Sequence, residues 1–181
     1  GGKLKSRSEQ DKNPIITIPS GIPPRASMPY LLIPLLLTIN KVIPAFDIRK
    51  QIDEAVELIK ELKNRYSVYS ETAKNTAKQI AIMLKNVIPI VFGSHPISDI
   101  PAFRWKTQFS ENSKIISLFN VFPEMNHNEI CGLAQLKQGQ KKFHLIILRD
   151  KYDNERIKAR IEITKKILNN AFSHITEIWA E

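Results

Sequence analysis

The sequence predicts an α/β fold, a doubly wound three-layer sandwich with a five-stranded parallel sheet between its helices. Short runs rich in β-branched residues recur along the chain, and most are apolar nearly throughout, as in strands that are buried on both faces. Amphipathic helical patterns separate most of these runs. Because strands that alternate with helices are joined by right-handed crossovers, the pattern favours a parallel sheet that helices cover on both faces.

Five segments have the composition of buried strands. Most of their residues are Ile, Val, Leu and Phe, the types that fill the interior of parallel sheets. The predicted strands are residues 15–18, 87–92, 115–119, 143–148 and 175–179.

The clearest helical pattern covers residues 48–66, where apolar residues repeat at i+3 and i+4 spacing after Asp47, a residue type that caps helix N-termini. Lys63 and Arg65 lie in its last turn, where the helix dipole favours positive charge. The other predicted helices are residues 25–43, 71–85, 99–113 and 157–168. Residues 6–13 are polar and charged, and we expect them to be disordered.

The composition is that of a globular protein with an excess of basic residues. The 181 residues include 27 Lys and Arg against 18 Asp and Glu, a net charge of +9, and 43% are hydrophobic. This content is too apolar for a disordered chain and excludes a collagen-like repeat. The longest uncharged stretch, residues 26–40, is shorter than the ~20 residues of a membrane span and contains two prolines, so we expect no membrane contact.

The cysteine content favours a reducing compartment. Cys131 has no second cysteine with which to form an internal disulfide, and nothing before residue 15 resembles a secretory signal, so we expect a cytoplasmic protein. The chain opens on Gly-Gly-Lys without an initiator Met and closes directly after a strand-like run. We therefore expect a piece of a longer protein.

Candidate binding residues follow the first two predicted strands, at the edge of the sheet where doubly wound proteins bind ligands. Arg25 ends a loop with three prolines, and an arginine held there can face an anion; a surface arginine that caps a carbonyl is the alternative. Gly93 and Ser94 follow the second strand, and their backbone N–H groups could bind an anionic oxygen. Gly-Ser pairs are also common in ordinary turns, so this signal is weak alone.

The most distinctive candidates are Glu111, beside small polar residues at the end of a predicted helix, and His127, which Asn126 and Asn128 flank. Both are unusual choices for plain packing, although each alone is more often structural than catalytic. Glu124 lies three residues before His127, a spacing found in carboxylate-bridged metal sites, but such sites need a second copy of the pair and the chain has one. We therefore expect no metal.

Several function classes lack their motif in this chain. The sequence contains no Cys/His zinc pattern, no Gly-rich dinucleotide fingerprint, no Walker loop and no Gly-x-Ser-x-Gly elbow. Residues 141–166 carry nine Lys and Arg against four Asp and Glu, which is one feature of a nucleic-acid-binding surface. The interspersed acids are more typical of a solvated helix face, so we expect no nucleic acid.

Several motifs together resemble one protein family. They are Arg-Trp-Lys at 104–106, Glu-Asn-Ser-Lys at 111–114 and Phe-Pro-Glu-Met-Asn-His-Asn-Glu at 122–129, with Gly-Ile-Pro-Pro-Arg-Ala at 21–26 and Gly-Gly-Lys-Leu at 1–4. In this order they resemble the bifunctional phosphoglucose/phosphomannose isomerases of archaea and bacteria. The resemblance spans nearly the whole chain.

The resemblance implies a domain organisation. That family is built from two sugar isomerase (SIS) domains, each an α/β sandwich around a five-stranded parallel sheet. Residues 14–181 would be the C-terminal SIS domain, truncated before its final helices. Residues 1–13 would be a remnant of the inter-domain linker or of the preceding domain.

The resemblance also implies a reaction, the aldose–ketose isomerisation of hexose 6-phosphates (glucose 6-phosphate or mannose 6-phosphate to fructose 6-phosphate) through a cis-enediol. Glu111 corresponds to the base that moves a proton between C1 and C2, and Arg25 to the arginine that faces the enediolate oxygens. His127 corresponds to the ring-opening histidine, which the neighbouring subunit of a homodimer supplies. We expect Glu111 at the mouth of the sheet and Gly93 and Ser94 in contact with the substrate. Neither a metal nor an organic cofactor is implied.

Parts of the family pattern are absent from the chain. The Ser/Thr-rich phosphate turn of the first SIS domain has no counterpart, and the chain stops before a lysine that assists ring opening near the family's C-terminus. The fragment alone is therefore expected to be inactive. A non-catalytic SIS module that binds a phosphosugar for regulation is the alternative, although it would need the phosphate turn and neither Glu111 nor His127. A basic nucleic-acid-binding domain is the third interpretation.

Overall fold

The computed structural model describes residues 2–44, 47–136 and 142–180. The chain forms two compact units, residues 1–70 and 71–181. In the described part of the chain, no helix combines the length and the apolar character that crossing a membrane requires.

The first unit is built from helices. Its elements are α1 (Gly2–Gln10), a 3-10 turn (Pro24–Ala26), α2 (Met28–Val42) and α3 (Ile48–Arg65). Asp47 caps α3 as the sequence predicts, because its carboxylate accepts a hydrogen bond from the Lys50 N–H at 3.1 Å. Helices α2 and α3 pack against each other.

Two predictions for the first unit are wrong. Residues 15–18 form no strand: the run is only four residues long, a proline flanks it on each side, and it joins no sheet of the described residues. Residues 6–10 belong to α1 rather than to a disordered segment. An ion pair between Arg7 and Asp11, with Nε and Oδ2 2.8 Å apart, joins the last turn of this helix to the residue that follows it.

The second unit contains the predicted parallel sheet. Its strands are β1 (Ile88–Ser94), β2 (Leu118–Phe122), β3 (Phe143–Arg149) and β4 (His174–Trp179). They are all parallel and lie in the order β2-β1-β3-β4. A five-stranded sheet is not confirmed, because the described residues form four strands and the segment assigned to the fifth, residues 15–18, is not one of them.

Helices cover both faces of this sheet, as the three-layer prediction requires. The helices are α4 (Thr76–Met83) and α5 (Asp99–Gln108) on one face, and α6 (Glu129–Leu133) and α7 (Glu155–Leu168) on the other. Side chains alternate along β1. Val91 packs against Ala102 of α5, whereas Phe92 packs on the opposite face with Ile161 of α7.

Strand β2 corresponds to the predicted strand of residues 115–119, and it begins three residues later than predicted. Residues 109–113 form a π-helical turn that continues α5, and Lys114 ends this turn in the left-handed conformation, with φ of 57°. Ile115 and Ile116 then connect the turn to β2, and Ile116 is exposed. The predicted end of the helical segment near Ser113 is confirmed, while the two isoleucines belong to the connection rather than to the strand.

His144 is a buried titratable residue of β3. Its Nε2 lies 2.8 Å from the hydroxyl oxygen of Thr176 on β4, and its side chain is inaccessible to solvent. Burial lowers the pKa of His144, and the charge of the His174 ring, whose centre is 5.5 Å away, lowers it further. The neutral imidazole is therefore the form that the fold stabilises.

We expect the free energy of unfolding to decrease at acidic pH. Because the pKa of His144 in the fold lies below the ordinary value of 6.5, the unfolded chain binds a proton first as the pH falls. The stability that neutral His144 contributes to the fold is fully present above about pH 6.5 and is lost progressively below it. Urea denaturation over this pH range measures the effect. His144→Gln, which does not titrate, should lose less stability on acidification, and an equal loss in both proteins would contradict the assignment.

Candidate active site

Glu111 lies in the π-helical turn of residues 109–113. The residue is exposed, and its backbone carbonyl accepts a hydrogen bond from the Lys114 Nζ at 2.6 Å. A π-helical turn is rare and occurs frequently at functional sites, and a lysine with positive φ is an uncommon residue to end it. Because this turn departs from α-helical geometry, Glu111 does not continue the regular side-chain pattern of α5.

The topology places Glu111 at the amino edge of the sheet, where the strands begin. Helix α5 starts beside the carboxyl end of β1 and returns toward the start of β2, as in every strand–helix–strand crossover. The hydroxyl of Ser117, directly before β2, donates a hydrogen bond to the Lys106 carbonyl at 2.8 Å and ties the last turns of α5 to this edge. The expectation that Glu111 lies at the mouth beyond the carboxyl ends is therefore wrong.

His127 lies at the opposite edge, beyond the carboxyl end of β2. The strand ends at Phe122, and a turn with a short 3-10 helix at Glu124–Asn126 follows it. Met125 is fully buried in the core, whereas His127 is exposed. The imidazole thus lies at the surface on a turn that the core anchors.

Within one chain, Glu111 and His127 are separated by the length of β2. The five residues of this strand span ~13 Å, at ~3.3 Å per residue. Direct proton transfer to one substrate requires groups within ~3 Å of the reacting atoms. A single chain therefore does not bring the two candidates to the same end of the sheet.

Arg25 belongs to the first unit, in the 3-10 turn of Pro24–Ala26. The Ala26 N–H donates to the Pro23 carbonyl at 2.8 Å, and the Ser27 hydroxyl donates to the Pro24 carbonyl at 2.9 Å. These bonds and the prolines fix the backbone on both sides of Arg25, whose side chain is exposed. The turn thus presents Arg25 at the surface of the first unit.

Gly93 and Ser94 are buried at the carboxyl end of β1. A Cβ atom at Gly93 would lie 2.2 Å from the Ser98 carbonyl oxygen, so only glycine allows the turn before α5 to approach β1 this closely. The N–H of Ser94 donates to the Ser98 hydroxyl at 2.7 Å, and that hydroxyl donates to the Leu148 carbonyl at 3.0 Å. The structure thus uses the Ser94 N–H inside the protein.

Asp153 fills the crevice next to Ser94. The strand order reverses between β1 and β3, and doubly wound sheets bind ligands in the crevice beyond the carboxyl ends of such strands. Here the Asp153 carboxylate, 1% exposed, accepts hydrogen bonds from the Ser94 hydroxyl and from the Asp150 N–H. Sequence analysis missed Asp153, although its place in the loop after a predicted strand was a usable signal.

Arg149 is the buried cation beside the Asp153 carboxylate. Its guanidinium pairs with Glu177 and, at 3.1 Å, with Glu162, and its Nε lies 3.8 Å from the Asp153 carboxylate. The guanidinium also lies over the Trp179 ring, 4.6 Å from its centre. The network therefore holds β3, β4 and the loop after β3 together at the carboxyl edge.

His95 and Asp99 form a second polar pair at this edge. The His95 Nδ1 lies 2.8 Å from the Asp99 carboxylate, and this hydrogen bond lowers the pKa of Asp99. The backbone N–H of His95 donates a hydrogen bond to the Phe122 carbonyl at 3.2 Å, so the pair lies beside the end of β2. The part of the chain that the structure describes holds no cluster of three or more His, Cys, Asp or Glu residues that could bind a metal.

Comparisons with known proteins relate the chain to sugar phosphate enzymes. A family model described as the bacterial phospho-glucose isomerase C-terminal SIS domain matches residues 73–181. The bifunctional phosphoglucose/phosphomannose isomerase of Caldicellulosiruptor bescii is 39% identical over 180 residues, which cover 99% of this chain and 53% of the relative. The enzyme of the same name from Thermoplasma volcanium is 38% identical, over 87% of this chain and 47% of the relative.

A relative with another named reaction is more distant. The D-glucosamine-6-phosphate 4-epimerase of Sulfolobus acidocaldarius is 30% identical over 84% of this chain and 46% of the relative. The chain spans about half the length of the curated relatives it matches. The family model covers most of the second unit, including Glu111 and His127. The chain therefore belongs to the family of bacterial phosphoglucose isomerase C-terminal SIS domains.

Proposed function

We propose that residues 14–181 form the C-terminal SIS domain of a two-domain phosphoglucose/phosphomannose isomerase, with residues 1–13 a remnant of what precedes it. The enzyme interconverts glucose 6-phosphate or mannose 6-phosphate and fructose 6-phosphate through a cis-enediol. The observation that carries this proposal is the exposed Glu111 carboxylate on an irregular turn, within the segment that the family model matches. The names of the relatives supply the substrate class.

The proposed reaction is a proton transfer along the sugar chain. After ring opening, Glu111 removes the proton from C2 of the aldose, and the electron pair forms the C1–C2 double bond of the enediol. The former C1 carbonyl oxygen takes up the proton of the C2 hydroxyl, and the same carboxyl group returns its proton to C1, which leaves a hydroxyl group at C1 and the carbonyl group at C2. Arg25 faces the enediolate oxygens, where a fixed positive charge stabilises the developing negative charge. Gly93 and Ser94 lie at the same edge of the sheet as His127, so in this proposal they border the substrate on the side of the subunit that supplies His127.

We propose that His127 opens the pyranose ring across a subunit interface: it donates a proton to the ring oxygen as the bond between C1 and that oxygen breaks, and the C1 hydroxyl gives its proton to water. Glu111 and His127 lie at opposite edges of the sheet in one chain. A two-fold symmetric dimer can place the amino edge of one subunit beside the carboxyl edge of the other, twice. Each site then combines Glu111 of one subunit with the partner's His127.

A subunit-mixing experiment tests this arrangement in the two-domain protein. Glu111→Gln and His127→Ala proteins should each be nearly inactive alone. When both are co-expressed in equal amounts, about half of the dimers are mixed, and each mixed dimer has one intact site, so about 25% of the wild-type activity should return.

A control and three other possible results distinguish the shared site of the dimer from the alternative interpretations. Two differently tagged Glu111→Gln proteins, mixed in the same way, should regain nothing. Purified mixed dimers without activity would show that Glu111 and His127 act within one chain or not at all. A wild-type protein that binds hexose 6-phosphates without turnover would favour the regulatory SIS module. Inversion at C4 of glucosamine 6-phosphate, followed by NMR, would favour the epimerase reaction of the more distant relative.

We also propose that the isolated 181 residues turn over no sugar phosphate, since the Ser/Thr-rich phosphate turn and the late lysine of the family have no counterpart in them. Measured turnover by the purified 181-residue chain would contradict this proposal.

We place the enzyme in the cytoplasm. The lone Cys131, which is exposed, is suited to a reducing compartment.

A further inference from the structure

Besides the buried Met125, one side-chain hydrogen bond among the described residues attaches the turn that carries His127 to the rest of the second unit, and the neighbour of His127 makes it. The Asn126 Nδ2 donates to the hydroxyl oxygen of Thr164 at 2.8 Å. Thr164 lies on α7, 38 residues further along the chain, and is fully buried. This bond joins the loop after β2 to a helix that packs on the sheet.

The remaining contacts of the turn are local or lie at its start. The Asn126 N–H donates to the Pro123 carbonyl at 3.0 Å, and the His127 N–H donates to the Glu124 carbonyl at 2.9 Å. Met125 fills a core position. These contacts fix the first half of the turn, but in the described structure only the Asn126–Thr164 bond ties the residue directly before His127 to α7 through side chains.

Asn126 itself is an inefficient choice for packing. Its Oδ1 is enclosed by protein and accepts no hydrogen bond from any described residue. A buried acceptor without a donor is unfavourable, and its presence calls for an explanation other than stability. A role in orienting the adjacent exposed imidazole supplies that explanation, because the amide group is retained for its donor.

Thr164 is unusual in the same sense. It is the one polar residue among the four buried positions of α7, which are Ile157, Ile161, Thr164 and Leu168. A valine would fill the same volume without a hydroxyl group to desolvate. Its hydroxyl oxygen accepts the hydrogen bond from the loop, which is a use that packing alone does not require.

We propose that Asn126 and Thr164 are positioning residues for His127: the hydrogen bond between them fixes the imidazole in the orientation needed for proton donation to the ring oxygen. This inference rests on the proposed function of His127. Catalytic groups must be held within a fraction of an ångström of their productive position, and a buried bond to a rigid helix is one means of doing so.

Thr164→Val in the two-domain protein removes the acceptor while the volume is kept. We expect kcat for glucose 6-phosphate to fall by about tenfold, with KM changed by less than about twofold, because orientation and not substrate binding is lost. Thr164→Ser retains the hydroxyl and should restore kcat to within about twofold of wild type. A purely structural role predicts no such separation between the two variants.

Ser173→Ala is the matched control. It removes another partly buried hydroxyl hydrogen bond of the same unit, from Ser173 to the Phe143 carbonyl at 2.8 Å, at the opposite edge of the sheet from His127. It should lower the melting temperature as Thr164→Val does and leave kcat unchanged. If Thr164→Val leaves kcat unchanged, or if both variants reduce kcat equally, the positioning role is refuted.

Asn126→Ala provides the second variant should Thr164→Val not fold, since Asn126 is only half-buried and its removal deletes the same hydrogen bond. Its kcat should fall as that of Thr164→Val does, and an unchanged kcat would overturn the proposal. Failure of the proposed function is distinguishable, because the wild-type protein would then turn over no hexose 6-phosphate.

Discussion

Replacing Glu111 with glutamine is expected to lower kcat of the proposed two-domain isomerase by about 10³-fold, because in the proposed mechanism the amide cannot accept the C2 proton. KM should change by less than about threefold, since glutamine has the shape of glutamate and the hydrogen-bonding geometry at the turn is retained. The exchange of the C2 hydrogen with deuterium from the solvent should be lost in parallel. Steady-state kinetics and NMR detection of the exchange measure the two effects.

Glu155→Gln is the control for this prediction. Glu155 is also an exposed glutamate of the second unit, paired with Lys158 at 2.9 Å on the surface of α7. The loss of one surface charge there should leave kcat within about twofold of wild type, because exposed ion pairs contribute little. A Glu111→Gln enzyme that retained most of its kcat would exclude Glu111 as the base and would redirect the search to the His95–Asp99 pair.

The sequence predicted the elements with strong periodicity or continuous apolar runs. Three strands, β1, β3 and β4, and helices α3 and α7 agree with their predictions to within two residues. Their buried residues carry the pattern: Val91 lies in a run that no polar residue interrupts, and Ile146 lies in a run that only His144 interrupts. Such runs are typical of strands that are covered on both faces.

Two apolar segments that the sequence predicts as strand, residues 15–18 and 115–116, are not part of the sheet. Residues 15–18 have the composition of a strand, but composition alone does not supply a partner strand, and the described run joins no sheet. Ile116 is 72% exposed and connects a π-helical turn to β2. Sequence periodicity does not distinguish an apolar connection from a buried strand, because both have the same residues over a short window.

The candidate residues were recognised from their motifs, but their arrangement was not. The rule that ligands gather beyond the carboxyl ends of strands is valid for loops that follow strands, such as the one with His127. Glu111 follows a helix instead. A helix of ten residues returns over ~15 Å, which carries its end back to the amino edge of the sheet. Asp153 was missed because its function is internal: it carries no motif, and only the fold brings it to Ser94.

The second large effect is expected at Asp153. Asp153→Ala removes the carboxylate that accepts from the Ser94 hydroxyl and the Asp150 N–H and that lies 3.8 Å from the Arg149 Nε. The hydroxyl and the N–H are then left without this partner in a buried crevice. We expect the free energy of unfolding to fall by about 3 kcal/mol, and the melting temperature by roughly 10 °C for a unit of this size.

Asp153→Asn and Asp150→Ala identify the origin of this loss. The asparagine oxygen can still accept from Ser94, but its amide group would face the Asp150 N–H, so an intermediate loss of about 1–2 kcal/mol is expected. Asp150 lies on the same loop and accepts a hydrogen bond from the Tyr152 N–H at 2.8 Å near the surface, and its replacement by alanine should cost less than about 1 kcal/mol. Urea denaturation of the three variants at neutral pH measures all of these values. If Asp153→Ala were no less stable than Asp150→Ala, the buried carboxylate would not be what stabilises the crevice between β1 and β3.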